Sequence, residues 1–393
     1  MEAAGELAPP VRVLLGPGPS NVHSRVLKAM STPLVGHLDP EFVRLMEETK
    51  ELLRFVFQTK NALTFPISGT GSSGMEACLV NLLEAGDEAV IGVNGVFGTR
   101  MKDIVERCGA KPVVIEAPWG NVFTPEQVRD ALKQCRRPKL VALVHAETST
   151  GAWQPLEGIS SIVHAAGALF VVDAVTSLGG CPVQIDDWKI DACYSGTQKC
   201  LSCPPGLSPV TFSQAALDVI RARKSKVQSW YLDLTMIEKY WGEERVYHHT
   251  APISMNYALR ESLRLIQEEG LTARFQRHRR NHEALAAGLS AMGMTLAAQE
   301  GHRLWTLNSV AIPNGVDDAG VRRQLLEEYN IEIGAGLGPL RGKVLRIGLM
   351  GESSTRSNVL LVLSALESIL RKQQFSCTPG AGVSAAQAVY AAA

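Results

Sequence analysis

The chain has 393 residues, with 39 Lys and Arg against 39 Asp and Glu, and 46% of it is hydrophobic. Zero formal net charge argues against nucleic acid or an anionic membrane as the main partner. No apolar run reaches the ~18–20 residues that span a bilayer, and the apolar content suits a globular protein of two or three packed units.

Residues 1–10 form a short acidic stretch that does not read as a signal peptide. The eight cysteines are irregularly spaced and read as reduced thiols of a cytoplasmic protein. Along the first two thirds, helix-like and strand-like segments alternate. Helices are expected over 72–83, 98–108, 124–134 and 158–166. Strands are expected over 88–93, 113–116, 140–145, 168–173, 190–194 and 208–212. Such alternation predicts an α/β domain, a mostly parallel sheet covered by helices, with its ligands at the carboxyl ends of the strands. After Tyr247 the pattern changes to two long helices, over 255–268 and 271–292. The polar run His278-Arg279-Arg280-Asn281-His282 within the second reads as a solvated face. A smaller α+β unit follows, with strands over 309–312 and 344–347 and helices over 318–328 and 357–372. The expected division is an N-terminal arm (1–20), a large domain (21–262), a small C-terminal domain (263–374) and a loose tail (375–393), the last being poor in charge.

The run Ser195-Gly196-Thr197-Gln198-Lys199 places a lysine just after a strand, among small, hydroxyl and amide residues, with Pro204-Pro205-Gly206 behind it. Asp173 closes an apolar strand 26 residues earlier. An amine and an acid at two strand ends are what pyridoxal 5′-phosphate requires: the lysine forms a Schiff base with the aldehyde, and the acid keeps the pyridine nitrogen protonated. A surface lysine would not be set among such neighbours, and an unpaired buried carboxylate would be costly. Val175 can pack on the ring face. Gly69-Thr70-Gly71-Ser72-Ser73-Gly74 matches a dinucleotide-binding fingerprint. However, the acids that follow, Asp87 and Glu88, lie at the start of the next strand and not at its end. The stretch reads instead as a phosphate cup at a helix N-terminus. Phe97 and Thr148 follow strand ends, where they can stack on a ring or bond its hydroxyl region; core packing and a helix cap or turn are the plain alternatives. Arg346, on an apolar strand, suits a substrate carboxylate or a structural ion pair. Cys200 and Cys203 read as packing, and no metal is expected at them or at His248 and His249.

With these residues the chain resembles the class V (fold type I) pyridoxal-phosphate-dependent aminotransferases, the alanine–glyoxylate and serine–glyoxylate (serine–pyruvate) enzymes. The likeness rests on Leu15-Gly16-Pro17-Gly18-Pro19-Ser20-Asn21, Ser68-Gly69-Thr70-Gly71, Val172-Asp173-Ala174-Val175-Thr176-Ser177, Ser195 to Lys199, Tyr247-His248-His249-Thr250 and Leu345-Arg346-Ile347-Gly348. It implies that Lys199 is the Schiff-base lysine and Asp173 the pyridinium partner. It further implies Phe97 as the stacking aromatic, often Trp in the family, and Thr70, Gly71, Ser72 and Gln198 as the phosphate cup. Ser72 stands where the animal enzymes carry His. Tyr247 and Thr250 match residues that reach the neighbouring subunit's phosphate, which implies a homodimer with shared sites. Arg346 matches the α-carboxylate binder, with Gly18 and Thr148 lining the pocket. The expected reaction is ping-pong transamination of alanine or serine with glyoxylate or pyruvate. Ureidoglycine or 3-hydroxykynurenine is the alternative donor, and Asn256 could bind a polar donor or cap a helix. A cysteine desulfurase would need a nucleophilic Cys after the lysine, and none lies between Cys203 and Cys377. A non-catalytic binding module of the same fold would not need lysine, aspartate and arginine together.

Overall fold

The computed structural model describes residues 5–392; the first four residues of the N-terminal arm and Ala393 lie outside the described residues. Its centre is a seven-stranded sheet in the order Leu63–Ser68, Leu207–Phe212, Ala192–Tyr194, Leu169–Asp173, Pro138–Val144, Glu88–Val93, Lys111–Glu116. Only Leu207–Phe212 runs against the others. The sheet is covered on both faces, so its strands are apolar on both sides. Successive side chains alternate between two cores: Leu140, Ala142, Val144 and Val171 point to one, and Val141, Leu143, Phe170 and Val172 to the other.

Register places the strand ends that carry chemistry side by side. Val144 pairs with Asp173, and Asp173 pairs with Tyr194. The loops that follow Ser68, Val93, Val144, Asp173 and Tyr194 therefore open on one edge of the sheet. The strand Leu63–Ser68 lies at the outer edge, paired only with its antiparallel neighbour. A dinucleotide fingerprint would follow a central parallel strand, so the position of Gly69 agrees with its exclusion from that class.

The C-terminal unit is a three-stranded antiparallel sheet, Leu307–Ala311, Val344–Gly348, Gly334–Ala335, packed against four helices: Leu271–Ala291, Asp318–Tyr329, Arg356–Lys372 and Ala381–Ala391. Leu15, from the N-terminal arm, is buried in this same core, and Val13–Leu14 pairs in parallel with Ile331–Glu332.

Two expectations are corrected here. The stretch 375–393 is not a loose tail, because Ala381–Ala391 is a helix docked on Leu271–Ala291. Alanine has the highest helix propensity, and small residues let the two backbones meet closely. A Cβ on Gly288 would stand 2.8 Å from the Gly382 carbonyl oxygen. The polar run is not a solvated face either. His278, Asn281 and His282 are buried, and each has a buried polar partner: His278 the Gly351 N–H, Asn281 the Ser354 hydroxyl, His282 the Asn308 amide oxygen. Polar residues on a helix bury when such partners exist, and composition alone does not show them.

Candidate active site

Asp173 ends its strand 2% exposed. Its carboxylate accepts the Val175 N–H at 2.8 Å and the Tyr194 hydroxyl at 2.9 Å. Burial raises its pKa to about 7, against the lowering effect of those two hydrogen bonds. The same burial and the adjacent carboxylate drive the Tyr194 phenol well up, so it stays a donor. Among the described residues no cation is paired with Asp173.

Lys199 follows the strand Ala192–Tyr194 and is 9% exposed. Burial first, and then the charge of Arg346, lower its pKa to about 8. A substantial neutral fraction near neutral pH makes the amine both a nucleophile and a base. Its Nζ donates to the Pro17 carbonyl. Gly18 passes directly over it: a Cβ there would lie 2.8 Å from both Lys199 Cδ and Nζ, and its φ of +109° is open to glycine alone at low cost. Ser20 secures the loop from behind, its hydroxyl donating to the Lys199 carbonyl at 2.8 Å.

Arg346 sits at the centre of its strand, 7% exposed. It makes no ion pair with a carboxylate among the described residues. Its Nε donates to Ala335 O at 2.6 Å and one terminal nitrogen to Thr148 O at 3.2 Å. The structural ion pair considered from sequence is therefore not formed. Burial lowers its pKa to about 10, which still leaves it a cation at neutral pH. The Thr148 hydroxyl is 2.5 Å from that of Thr176.

The helix Gly71–Leu82 begins at the edge of this group. Its N-cap, Thr70, makes no side-chain cap bond, and Thr70 and Ser72 are exposed. The helix N-terminus thus presents its amides and positive dipole end. Arg100 donates to the Ser72 hydroxyl at 2.9 Å and lies 5.0 Å from the Phe97 ring centre. Phe97 is half-buried in the first turn of its helix, with its N–H on Glu147 Oε2 at 3.1 Å.

Three residues expected from the resemblance make no hydrogen bond to these side chains among the described residues. Tyr247 is 58% exposed and packs against His37, with ring centres 5.3 Å apart; Thr250 is exposed nearby. Asn256 is buried but does not cap a helix. It lies inside the helix Ile253–Glu269, whose N-cap is Pro252; its Nδ2 bonds back to Pro252 O, and its Oδ1 has no partner. Sequence reasoning missed Tyr194 and Glu147. Tyr194 could be found only from strand register. Glu147 is fully buried, accepts from Ser149 and Phe97, and so caps the helix that carries Phe97; the signal was an acid three residues past the end of the strand Pro138–Val144.

These residues fit pyridoxal phosphate. Asp173 is a buried acid suited to a cationic N–H, Lys199 is a buried amine, and the uncapped N-terminus of the helix Gly71–Leu82 offers amide donors to a phosphate. The comparisons show the family. The family model for class-V aminotransferases matches residues 13–356. An alanine–glyoxylate aminotransferase structure from Nostoc sp. superimposes with a TM-score of 0.92 and 52% identity, covering 94% of this chain and 98% of that one. The ureidoglycine–glyoxylate aminotransferase structure from Bacillus subtilis gives 0.96 and 46%, covering 98% and 100%. The alanine–glyoxylate aminotransferase of Callithrix jacchus is 44% identical over 93% of this chain and 89% of its own. The chain belongs to the class-V aminotransferases and is an enzyme that moves amino groups with pyridoxal 5′-phosphate.

Proposed function

We propose that this enzyme transfers the amino group of a small amino acid, alanine or serine, to glyoxylate or pyruvate. The observation that carries the reading is a buried amine, Lys199, set between a buried acid and a buried guanidinium that has no carboxylate partner of its own. The bound cofactor supplies an aldehyde that condenses with amines and a pyridinium ring that draws electrons from the amino acid Cα. Lys199 holds the cofactor and, as a partly neutral amine, takes and returns the Cα proton. Asp173, steadied by Tyr194 and Val175, keeps the ring nitrogen protonated. Thr70, Gly71, Ser72 and Gln198 receive the phosphate, while Phe97 and Val175 cover the ring faces and Thr148 lies near the ring hydroxyl. Arg346 grips the α-carboxylate in a bidentate manner. Gly18 leaves the space in which a small side chain fits.

Tyr247 and Thr250 serve the site of a second copy in a homodimer. Exposed Leu34, Leu38, Trp230, Tyr231, Val246 and Tyr247 support this, because so many large apolar groups are rarely left to water. Light scattering that gave a monomer at micromolar concentration would remove the shared site. A cytoplasmic setting is proposed from the eight free thiols, to be checked by cell fractionation.

A second reading keeps ureidoglycine as the donor. The Bacillus subtilis (S)-ureidoglycine–glyoxylate transaminase aligns over 99% of this chain, C-terminal helix included, against 93% for the animal relatives. The unpartnered Asn256 Oδ1 would suit a donor rich in N–H groups. A half-reaction screen decides: alanine, serine, ureidoglycine and 3-hydroxykynurenine are each offered to the loaded enzyme, and the loss of its visible absorbance is timed. Borohydride followed by peptide mapping should tag Lys199. A label on any other residue overturns the site.

A further inference from the structure

The C-terminal unit carries a cavity of about 450 Å³, none of whose lining residues belongs to the site around Lys199. Its walls are Arg277 and Arg280 from the helix Leu271–Ala291, Ser354, Thr355 and Arg356 at the start of the helix Arg356–Lys372, and Tyr390 from the C-terminal helix. Three arginines line it and no acidic residue does.

Arg277 is already paired, though its carboxylate partner is shared with Arg274. It holds Glu269 at 2.6 Å and donates to the Gly351 and Ser354 carbonyls. Arg280 and Arg356 are not: among the described residues neither pairs with a carboxylate. Arg280 reaches only the Tyr390 carbonyl, and its Nε is buried with no acceptor. Both guanidinium groups lie over the Tyr390 ring, 5.6 and 5.1 Å from its centre, and so within about 11 Å of each other. Two uncompensated cations at that range repel, and a buried guanidinium N–H without an acceptor is costly. The helix Arg356–Lys372, 17 residues long, adds its positive end to the same wall. The wall is also fixed in shape. The Tyr390 hydroxyl donates to Asn281 Oδ1 at 2.6 Å, and Asn281 Nδ2 donates to the Ser354 hydroxyl at 3.1 Å.

We propose that this pocket binds a small, multiply charged oxyanion between Arg280 and Arg356, as a phosphate ester or a short dicarboxylate would present. Guanidinium forks match both geometries, and the volume is that of a small-molecule site. A bound anion would join the two helices that carry Arg280 and Arg356.

The test uses the cofactor-loaded enzyme in low-salt buffer, with inorganic phosphate and malonate titrated separately by calorimetry. Wild type is compared with Arg280→Gln and Arg356→Gln, so heat from Arg346 is common to all three proteins. The expected result is binding of at least one probe that weakens roughly tenfold or more in each variant, with turnover in the absence of added anion unchanged. A response to phosphate alone marks the phosphate-ester class; a response to malonate marks the dicarboxylate class. Arg356 is exposed, so its variant reads out even where Arg280→Gln does not fold. Binding of both probes undiminished in Arg356→Gln, or no binding of either by wild type, overturns the proposal.

Discussion

Asp173 is costly to the empty protein and useful to the loaded one, and Asp173→Asn separates the two effects. Burial moves its pKa from 3.8 to about 7, a change worth about 4 kcal/mol at 1.36 kcal/mol per pH unit. A carboxyl whose folded pKa is raised contributes stability that is fully present below its unfolded pKa and is lost as pH rises through the folded one. The cofactor-free protein should therefore carry nearly all of this cost at pH 8.5 and about 1.6 kcal/mol of it at pH 5. Asparagine keeps the bond from Val175 N–H but disturbs the one from the Tyr194 hydroxyl, a loss of about 1 kcal/mol. The net expectation is that cofactor-free Asp173→Asn gains about 3 kcal/mol at pH 8.5 and less than about 1 kcal/mol at pH 5. Urea unfolding of both proteins, followed by tryptophan fluorescence at the two pH values, measures it. With saturating cofactor the order reverses, because wild type alone is stabilised by tight binding. A gain that is the same at both pH values, or no gain at pH 8.5, would show that the carboxylate is solvated and refute the reasoning.

Lys199→Ala should abolish turnover and the visible cofactor band while leaving the unfolding midpoint of the cofactor-free protein near wild type; a fully active variant sinks the assignment. Because the Lys199 amine titrates at about 8, capture of cofactor by the empty enzyme should slow about tenfold per pH unit below that value, as stopped-flow absorbance can follow. Arg346→Gln should raise KM for the amino acid by roughly 30- to 100-fold, from about 2–3 kcal/mol of charged hydrogen bonding, with a smaller change in kcat. Gly18→Ala forces a Cβ to 2.8 Å from the Lys199 side chain at a φ of +109°; steady-state assays should show kcat down by about tenfold or more. Glu147→Gln places an amide where the Ser149 and Phe97 N–H groups need an acceptor, and should lower stability by about 1–3 kcal/mol in urea titrations.

Much of this architecture is legible in the chain because buried parallel strands are continuous apolar runs. The strand Glu88–Val93 and the helices around it could be placed within a few residues for that reason. Asp173 and Arg346 stand out because each is a charge on an apolar background, and Lys199 because it follows a strand among small, hydroxyl and amide residues. Tyr194 does not, since its meaning depends on which strands are neighbours and in what register, and no local pattern carries that. The helix Pro40–Phe57 and the C-terminal helix escaped for different reasons. The first carries charge along most of its exposed face; the second buries little more than alanine and glycine. The run His278 to His282 misled because polarity predicts exposure only where no buried partner is waiting.

The N-terminal segment ties the C-terminal unit to the loop of Lys199. Leu14 is laddered to Glu332, and Leu15 takes the Gly348 N–H at 2.8 Å; two residues on, Pro17 receives the Lys199 amine, and Ser20 is bonded to the Lys199 carbonyl. Any swing of the C-terminal unit must pull this short tether, and the tether ends on the acceptor of the amine itself. Opening of the cleft and unbridling of Lys199 are then a single event, and hydrogen exchange at the Gly348 amide should keep pace with the reactivity of that lysine.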